Sequence, residues 1–207
     1  MGSRTPPDWA ATGFATGTFV QTTRGLRPIE RLVPGEDEVE FRDGSSGKLM
    51  RLLSHTFTAS ALERNTALRP VRIPALALGG TVPARNLIVS QDMHIHAQGR
   101  LVRRVTEAAE VLLPVAALIG KNDVELITPV SGITYFHLVS ENHQVLKAEG
   151  LVCETLYLGD ETEAARHDPD GPTHVSPILP RLDLEMANRL TEKLAKKNRA
   201  PVSAEGS

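Results

Sequence analysis

Between Thr18 and Ile127 the chain never runs far without a turn residue, and this constrains its fold more than any other feature. Short β-branched and aliphatic runs are punctuated by Gly25, Pro34-Gly35, Asp43-Gly44, Gly79-Gly80, Gly99 and Gly120. Long amphipathic helices have no room in such text, whereas many short strands joined by tight turns do. The reading is an all-β domain. Strands are predicted over 18–22, 27–30, 38–41, 48–60, 71–73, 87–90 and 101–105, with further ones over 123–128, 133–139 and 144–148. Asp43-Gly44 and the following Ser45-Ser46-Gly47 tolerate positive φ, which predicts a hairpin between 39–41 and 49–53. The stretch 48–60 lacks Gly and Pro and is expected to be one bent strand. Pro114 interrupts the apolar run 110–119 and is suited to open a helical turn over 115–119.

A core for this chain must be thin. Of the 207 residues 41% are hydrophobic but only 4% are aromatic, so Leu, Val, Ile and Ala have to fill it. That length supports one ordinary core with a polar appendage left over. The 23 basic and 25 acidic residues leave a net charge of -2, which gives no global attraction to nucleic acid or anionic lipid. Cys153 is the single cysteine, which excludes an internal disulfide and a cysteine-rich zinc site. Residues 1–11 lack the charged start and apolar run of a secretory signal, and no stretch reaches the length of a membrane span. The chain is expected to be soluble; its compartment and oligomeric state stay open.

Composition shifts at Gly159. From Asp160 to Pro180 acids and three prolines predominate, which predicts an extended linker over 159–182. Asp183 is placed to cap a helix over 183–198. In it Met186, Leu190 and Leu194 form a narrow apolar stripe, Glu185 with Arg189 and Glu192 with Lys196 are spaced to pair, and lysines trail toward the C-terminal end of the dipole. Such a helix is expected to dock on the domain or on a partner.

The stretch Gly13-Phe14-Ala15-Thr16-Gly17-Thr18-Phe19-Val20-Gln21-Thr22 resembles the opening block of Hint domains, the self-processing modules of hedgehog proteins and inteins. Gly17, Thr18, Val20, Thr22, Gly25, Ile29, Glu30, Leu32, Gly35 and Val39 fall at the spacing G-T-x-V-x-T-x-x-G, I-E-x-L, G-[DE]-x-x-V. The bacterial Hint subfamily also carries segments similar to 68–73 and 83–90. The closing text Ile133-Thr134-Tyr135-Phe136-His137-Leu138, then His143 and Ala148-Glu149-Gly150, resembles the block that ends the fold. The resemblance implies a horseshoe of bent strands in two pseudo-twofold halves over 12–158, with 1–11 as an N-terminal flank and the C-terminal helix appended. It also implies flanking polypeptide segments of a precursor as partners, with no cofactor and no metal.

Active members of the family begin with a Cys or Ser that attacks the preceding carbonyl, and a Thr-x-x-His block polarises that peptide. Here the nucleophile position is Gly13, which has no side chain to attack with. The polarising block falls on Ser90-Gln91-Asp92-Met93, so Met93 replaces its imidazole and His94 follows one residue later. Strand alternation predicts His94 and His96 on one face, exposed or partly packed, and Met93 with Ile95 on the other. At the closing end His137 replaces an Asp, His143 matches a His, and the terminal His-Asn pair of splicing inteins falls on Cys153-Glu154. Glutamate cannot cyclise as asparagine does, so splicing is not expected. The candidate site is therefore Gly13, Ser90, Asp92, His94, His143 and Cys153. A lost general acid or base costs about 10²- to 10⁴-fold in rate, whereas a lost attacking atom removes the covalent route. The expected function is an autoprocessing-fold domain impaired in the N-terminal acyl shift. Two alternatives remain: an active autoprotease using Thr12, Cys153 or water, and a ligand- or metal-binding β-domain built on His94, His96, His137 and His143.

Overall fold

The computed structural model describes residues 8–79, 81–129, 131–157 and 176–197. The described residues form fourteen short strands: β1 (Phe14–Ala15), β2 (Phe19–Thr22), β3 (Gly25–Pro28), β4 (Glu38–Glu40), β5 (Ser46–Lys48), β6 (Arg51–Phe57), β7 (Val71–Ile73), β8 (Leu87–Val89), β9 (His94–Gln98), β10 (Glu110–Pro114), β11 (Glu125–Leu126), β12 (Ile133–Val139), β13 (Val145–Ala148) and β14 (Leu151–Glu154). Three helices accompany them: α1 (Ala59–Arg64), α2 (Arg100–Thr106) and α3 (Leu184–Ala195). One sheet has the order β11-β7-β8-β1-β12-β6, and the other runs β10-β9-β14-β13-β2-β4-β5 with β3 beside β2. Both chain ends of the domain meet inside these sheets. β1 lies between β8 and β12, and β14 lies between β9 and β13.

The all-β expectation holds, and four local expectations give way for identifiable reasons. Residues 101–105 are not a strand. Leu101 and Val102 are buried while Arg103 and Arg104 face solvent, a helical rather than an alternating pattern, and α2 results. The run 48–60 is not one strand either. Thr58 ends β6 by capping α1, its Oγ1 accepting from the Ala61 amide at 3.2 Å. The predicted strand 27–30 stops at Pro28, after which residues 29–31 form a 3-10 turn tied back by the Ile29 amide to the Thr18 carbonyl at 2.8 Å. The Asp43-Gly44 hairpin forms, but β4 pairs with β5, and residues 51–57 pair instead with β12 along seven positions.

The main core gathers Phe14, Val20, Ile95, Leu113, Leu138 and Leu151 from both sheets. As the composition requires, it is dominated by aliphatic side chains. Helix α3 contributes Ala187, Leu190 and Leu194 to the same core, so it docks on the domain. Asp183 caps it as predicted, accepting from the Met186 amide at 2.7 Å. Of the predicted linker, residues 159–175 lie outside the described residues, while 176–182 pack against the domain. Among the described residues no helix is long and apolar enough to cross a membrane.

Candidate functional site

β1 is only two residues long, yet it fixes the site. Phe14 pairs with Val89 on one side and with Phe136 on the other. The residue before Phe14 is thereby carried between the ends of β8 and β12. Ser90 follows β8 and clasps Gly13 twice: its Oγ accepts from the Gly13 amide at 2.9 Å, and its own amide donates to the Gly13 carbonyl at 3.0 Å. The Gly13 nitrogen belongs to the peptide linking Thr12 to Gly13. The hydroxyl lies within reach of that nitrogen as an acceptor, and to protonate a leaving amine it would have to turn its own proton toward it.

Gly13 adopts φ +126°, a conformation that side-chain-bearing residues rarely take. A Cβ built there would lie 2.6 Å from the Phe136 carbonyl oxygen and 2.8 Å from two atoms of the His137 ring. The volume a nucleophilic side chain would use is already filled. His137 also meets Thr12, its Nδ1 lying 3.3 Å from the Thr12 hydroxyl. Burial, with a smaller contribution from nearby His55, pushes the His137 pKa down to about 3, so the ring is neutral at ordinary pH.

The same small cleft is lined by Thr12, Gly13, Met93, His137, Glu154 and Arg181. Its open volume is about 30 Å³, room for one or two waters. Met93 is buried and presents its side chain to this cleft. His94 and His96 are not on an exposed face: they are 8% and 3% exposed. His94 lies behind Glu154, with Nδ1 2.8 Å from Glu154 Oε1 and 2.9 Å from the Asp92 carbonyl. The Arg181 guanidinium also reaches this nitrogen, at 3.2 Å, so two oxygens and a cation surround Nδ1. His143 approaches the other carboxylate oxygen, Nε2 to Oε2, at 3.3 Å. The Ile178 amide donates to its Nδ1 at 3.1 Å, which leaves Nε2 to carry the proton facing Glu154.

Glu154 is thus the hub. Burial alone would raise its pKa, but hydrogen bonds from His143 and His94 and the charges of His94 and Arg181 outweigh it and bring it down to about 2. The carboxylate stays ionised inside the protein.

Among the sequence candidates, Gly13 and Ser90 meet directly, and His94 and His143 meet each other through Glu154. Asp92 is exposed and contributes its backbone carbonyl rather than its carboxylate. Cys153 faces the core, fully buried, its thiol pushed up by burial and by the neighbouring Glu154 charge. The four histidines do not converge, since His96 sits apart with Glu110, 3.2 Å away. Among the described residues no group of three or more His, Cys, Asp or Glu is arranged to hold a metal ion. Sequence reasoning missed the Glu154 hub and Arg181. The available signals were a carboxylate closing the apolar run Leu151-Val152-Cys153 and a lone cation between Leu179-Pro180 and Leu182.

The Hint domain model matches residues 12–160, which hold every residue of this site except Ile178 and Arg181. The chain belongs to the Hint domain family. Its curved, strand-rich architecture is that of the family. Solved structures similar to this Hint domain include the gp41-1 intein, 12% identical with TM-score 0.46, where 69% of this chain covers 97% of that one. A bacterial intein-like domain from Clostridium thermocellum is 10% identical with TM-score 0.47, over 69% of this chain and 97% of that one. The MchDnaB-1 intein is 12% identical with TM-score 0.43, over 70% and 100%. At such identities and scores these likenesses add nothing about chemistry. No curated protein matches the sequence significantly.

Proposed function

We propose that this Hint domain is a processing module kept in shape but silent in the N-terminal acyl shift, folded between flanking segments of a precursor. The observation that carries the reading is Gly13: the attacking atom is missing, and the Phe136 carbonyl and His137 ring stand where its Cβ would go. Ser90 on the Gly13 amide is what remains of the activating machinery. Splicing is absent from the proposal because Glu154, in the place of a cyclising asparagine, is committed to two histidines and an arginine. The test is to incubate the purified chain with hydroxylamine or thiol and weigh it. A silent domain keeps its mass near 22.4 kDa. Fragments broken next to Thr12 refute it.

A self-cleaving reading draws on one contact, the Thr12 hydroxyl 3.3 Å from His137 Nδ1. An imidazole with pKa about 3 is a poor base for that hydroxyl, which ranks this reading second. If Thr12 were the nucleophile, its Oγ would displace the Thr12 nitrogen from the Ala11 carbonyl. Hydroxylamine would then release a fragment ending at Ala11.

A further inference from the structure

Residues 176–182 lie outside the span that matches the family, yet they form one wall of the cleft. The Leu112 amide donates to the Pro180 carbonyl at 2.8 Å and the Leu182 amide to the Leu112 carbonyl at 2.9 Å, so the segment covers the outer edge of β10. Leu179 packs with Leu112, Val145 and Val152, and Leu182 packs on the main core. Between these two anchors Arg181 turns inward. Its guanidinium reaches Glu154 at 3.2 Å and 3.4 Å and lies over the Tyr157 ring at 5.2 Å, while Ile178 binds His143.

Resting on the reading that the Thr12–Gly13 cleft is the processing cleft, we infer that residues 176–182 are a strap that closes it, latched by Arg181 on Glu154, so that any external nucleophile larger than water must first displace the strap. The size and lining of the cleft, and the way the segment is anchored, support this. The cleft with the strap in place has only about 30 Å³ free, enough for water but not for a thiol reagent or a peptide amine. Arg181 lines the same cleft as Gly13. Between its Leu179 and Leu182 anchors the strap presents Arg181, whose side chain is 31% exposed, whereas α3, which follows it, is fixed in the core by Ala187, Leu190 and Leu194. Segments with few buried contacts open locally without global unfolding. The strap can therefore lift while α3 stays docked.

The test is amide hydrogen exchange by NMR on the full chain, comparing it with Arg181→Ala and Arg181→Lys. Losing a charge-assisted latch is expected to speed exchange at Ile178, Leu182 and Gly13 by about tenfold or more, with Ala187 and Leu190 in α3 unmoved. Lysine keeps the charge but not the fork, so it should give a smaller rise at the same amides. Strap amides that speed up while Gly13 does not would overturn the inference, as would no change at either place. Should Arg181→Ala unfold the chain, the lysine variant decides by the same comparison. Hydroxylamine treatment of the same samples keeps the two claims apart: cleavage beside Thr12 that is faster in Arg181→Ala than in the unaltered chain defeats the silent reading and supports the strap, whereas equal cleavage in both defeats both.

Discussion

Gly13→Ala isolates the question of whether the nucleophile position is merely empty or structurally closed. The added methyl brings two penalties. At φ +126° a Cβ-bearing residue is strained by about 1–3 kcal/mol. The methyl also meets the Phe136 carbonyl oxygen at 2.6 Å and the His137 ring at 2.8 Å, and overpacking of a closed site costs about 1–3 kcal/mol. The sum is about 2–6 kcal/mol, a large share of the 5–15 kcal/mol typical of a folded domain. For a chain of this size each kcal/mol lowers Tm by about 2–4 °C, so a fall of roughly 4–24 °C is expected in a thermal melt. Gly13→Cys should fall at least as far, because it carries the same Cβ and a sulfur besides. It should also fail to cleave under thiol, since the sulfur can reach the Thr12 carbonyl only if the His137 ring moves away. A Gly13→Ala/His137→Ala pair should recover part of the loss, as expected of neighbours that share space. A Gly13→Cys protein melting with the parent and shedding its first twelve residues under dithiothreitol would refute the reasoning outright.

Stability should fall on acidification in two stages, readable by urea denaturation across pH. His137, with pKa about 3 when folded against an ordinary 6.5, favours the folded state fully above 6.5 and loses that contribution as pH drops toward 3. Glu154, about 2 when folded against 4.5, contributes fully above 4.5 and loses it toward 2; Glu154→Gln should flatten the second stage and cost about 3–5 kcal/mol at neutral pH by stripping a buried cluster of its carboxylate. Cys153 should ignore a thiol reagent in the native chain and react stoichiometrically once the chain is denatured; rapid native labelling would contradict its burial. Asp183→Ala removes the cap on α3 and should cost about 0.5–2 kcal/mol in the same denaturation assay, with no effect expected if the helix were held by packing alone.

The fold class was legible in the sequence because turn residues and β-branched runs act locally. The same locality explains the misreadings. Arg100–Thr106 contains β-branched valines, but its two adjacent arginines fit only one exposed helical face, so period outranks propensity there. Thr58 breaks a run containing neither Gly nor Pro, since a hydroxyl cap ends a strand as firmly as either. At the site, the Gly13 and Ser90 pairing follows from one register, Phe14 opposite Val89, and a two-residue strand can carry it. Glu154 and Arg181 were not legible, because 27 residues and a change of sheet environment separate them and only tertiary packing joins them.

On the proposed silent reading the shape of the cleft needs a structural rather than a catalytic support, and the buried carboxylates supply it. Asp37 takes Arg24, Arg27 and the Val33 amide, binding a surface loop to β3. Glu149 takes Arg85 and the Phe19 amide, tying the turn after β13 to β2. Glu154 does the same for the cleft, collecting His94 from β9, His143 from the turn before β13 and Arg181 from beyond the family span. Removing any one of its partners leaves a charge in a low-dielectric interior, which costs more than the pair itself contributes. The cleft walls are thus locked by the fold's own electrostatics, independently of residue 13. On that reading Ser90 clasps the Thr12–Gly13 peptide in a cleft whose geometry does not depend on a side chain at residue 13.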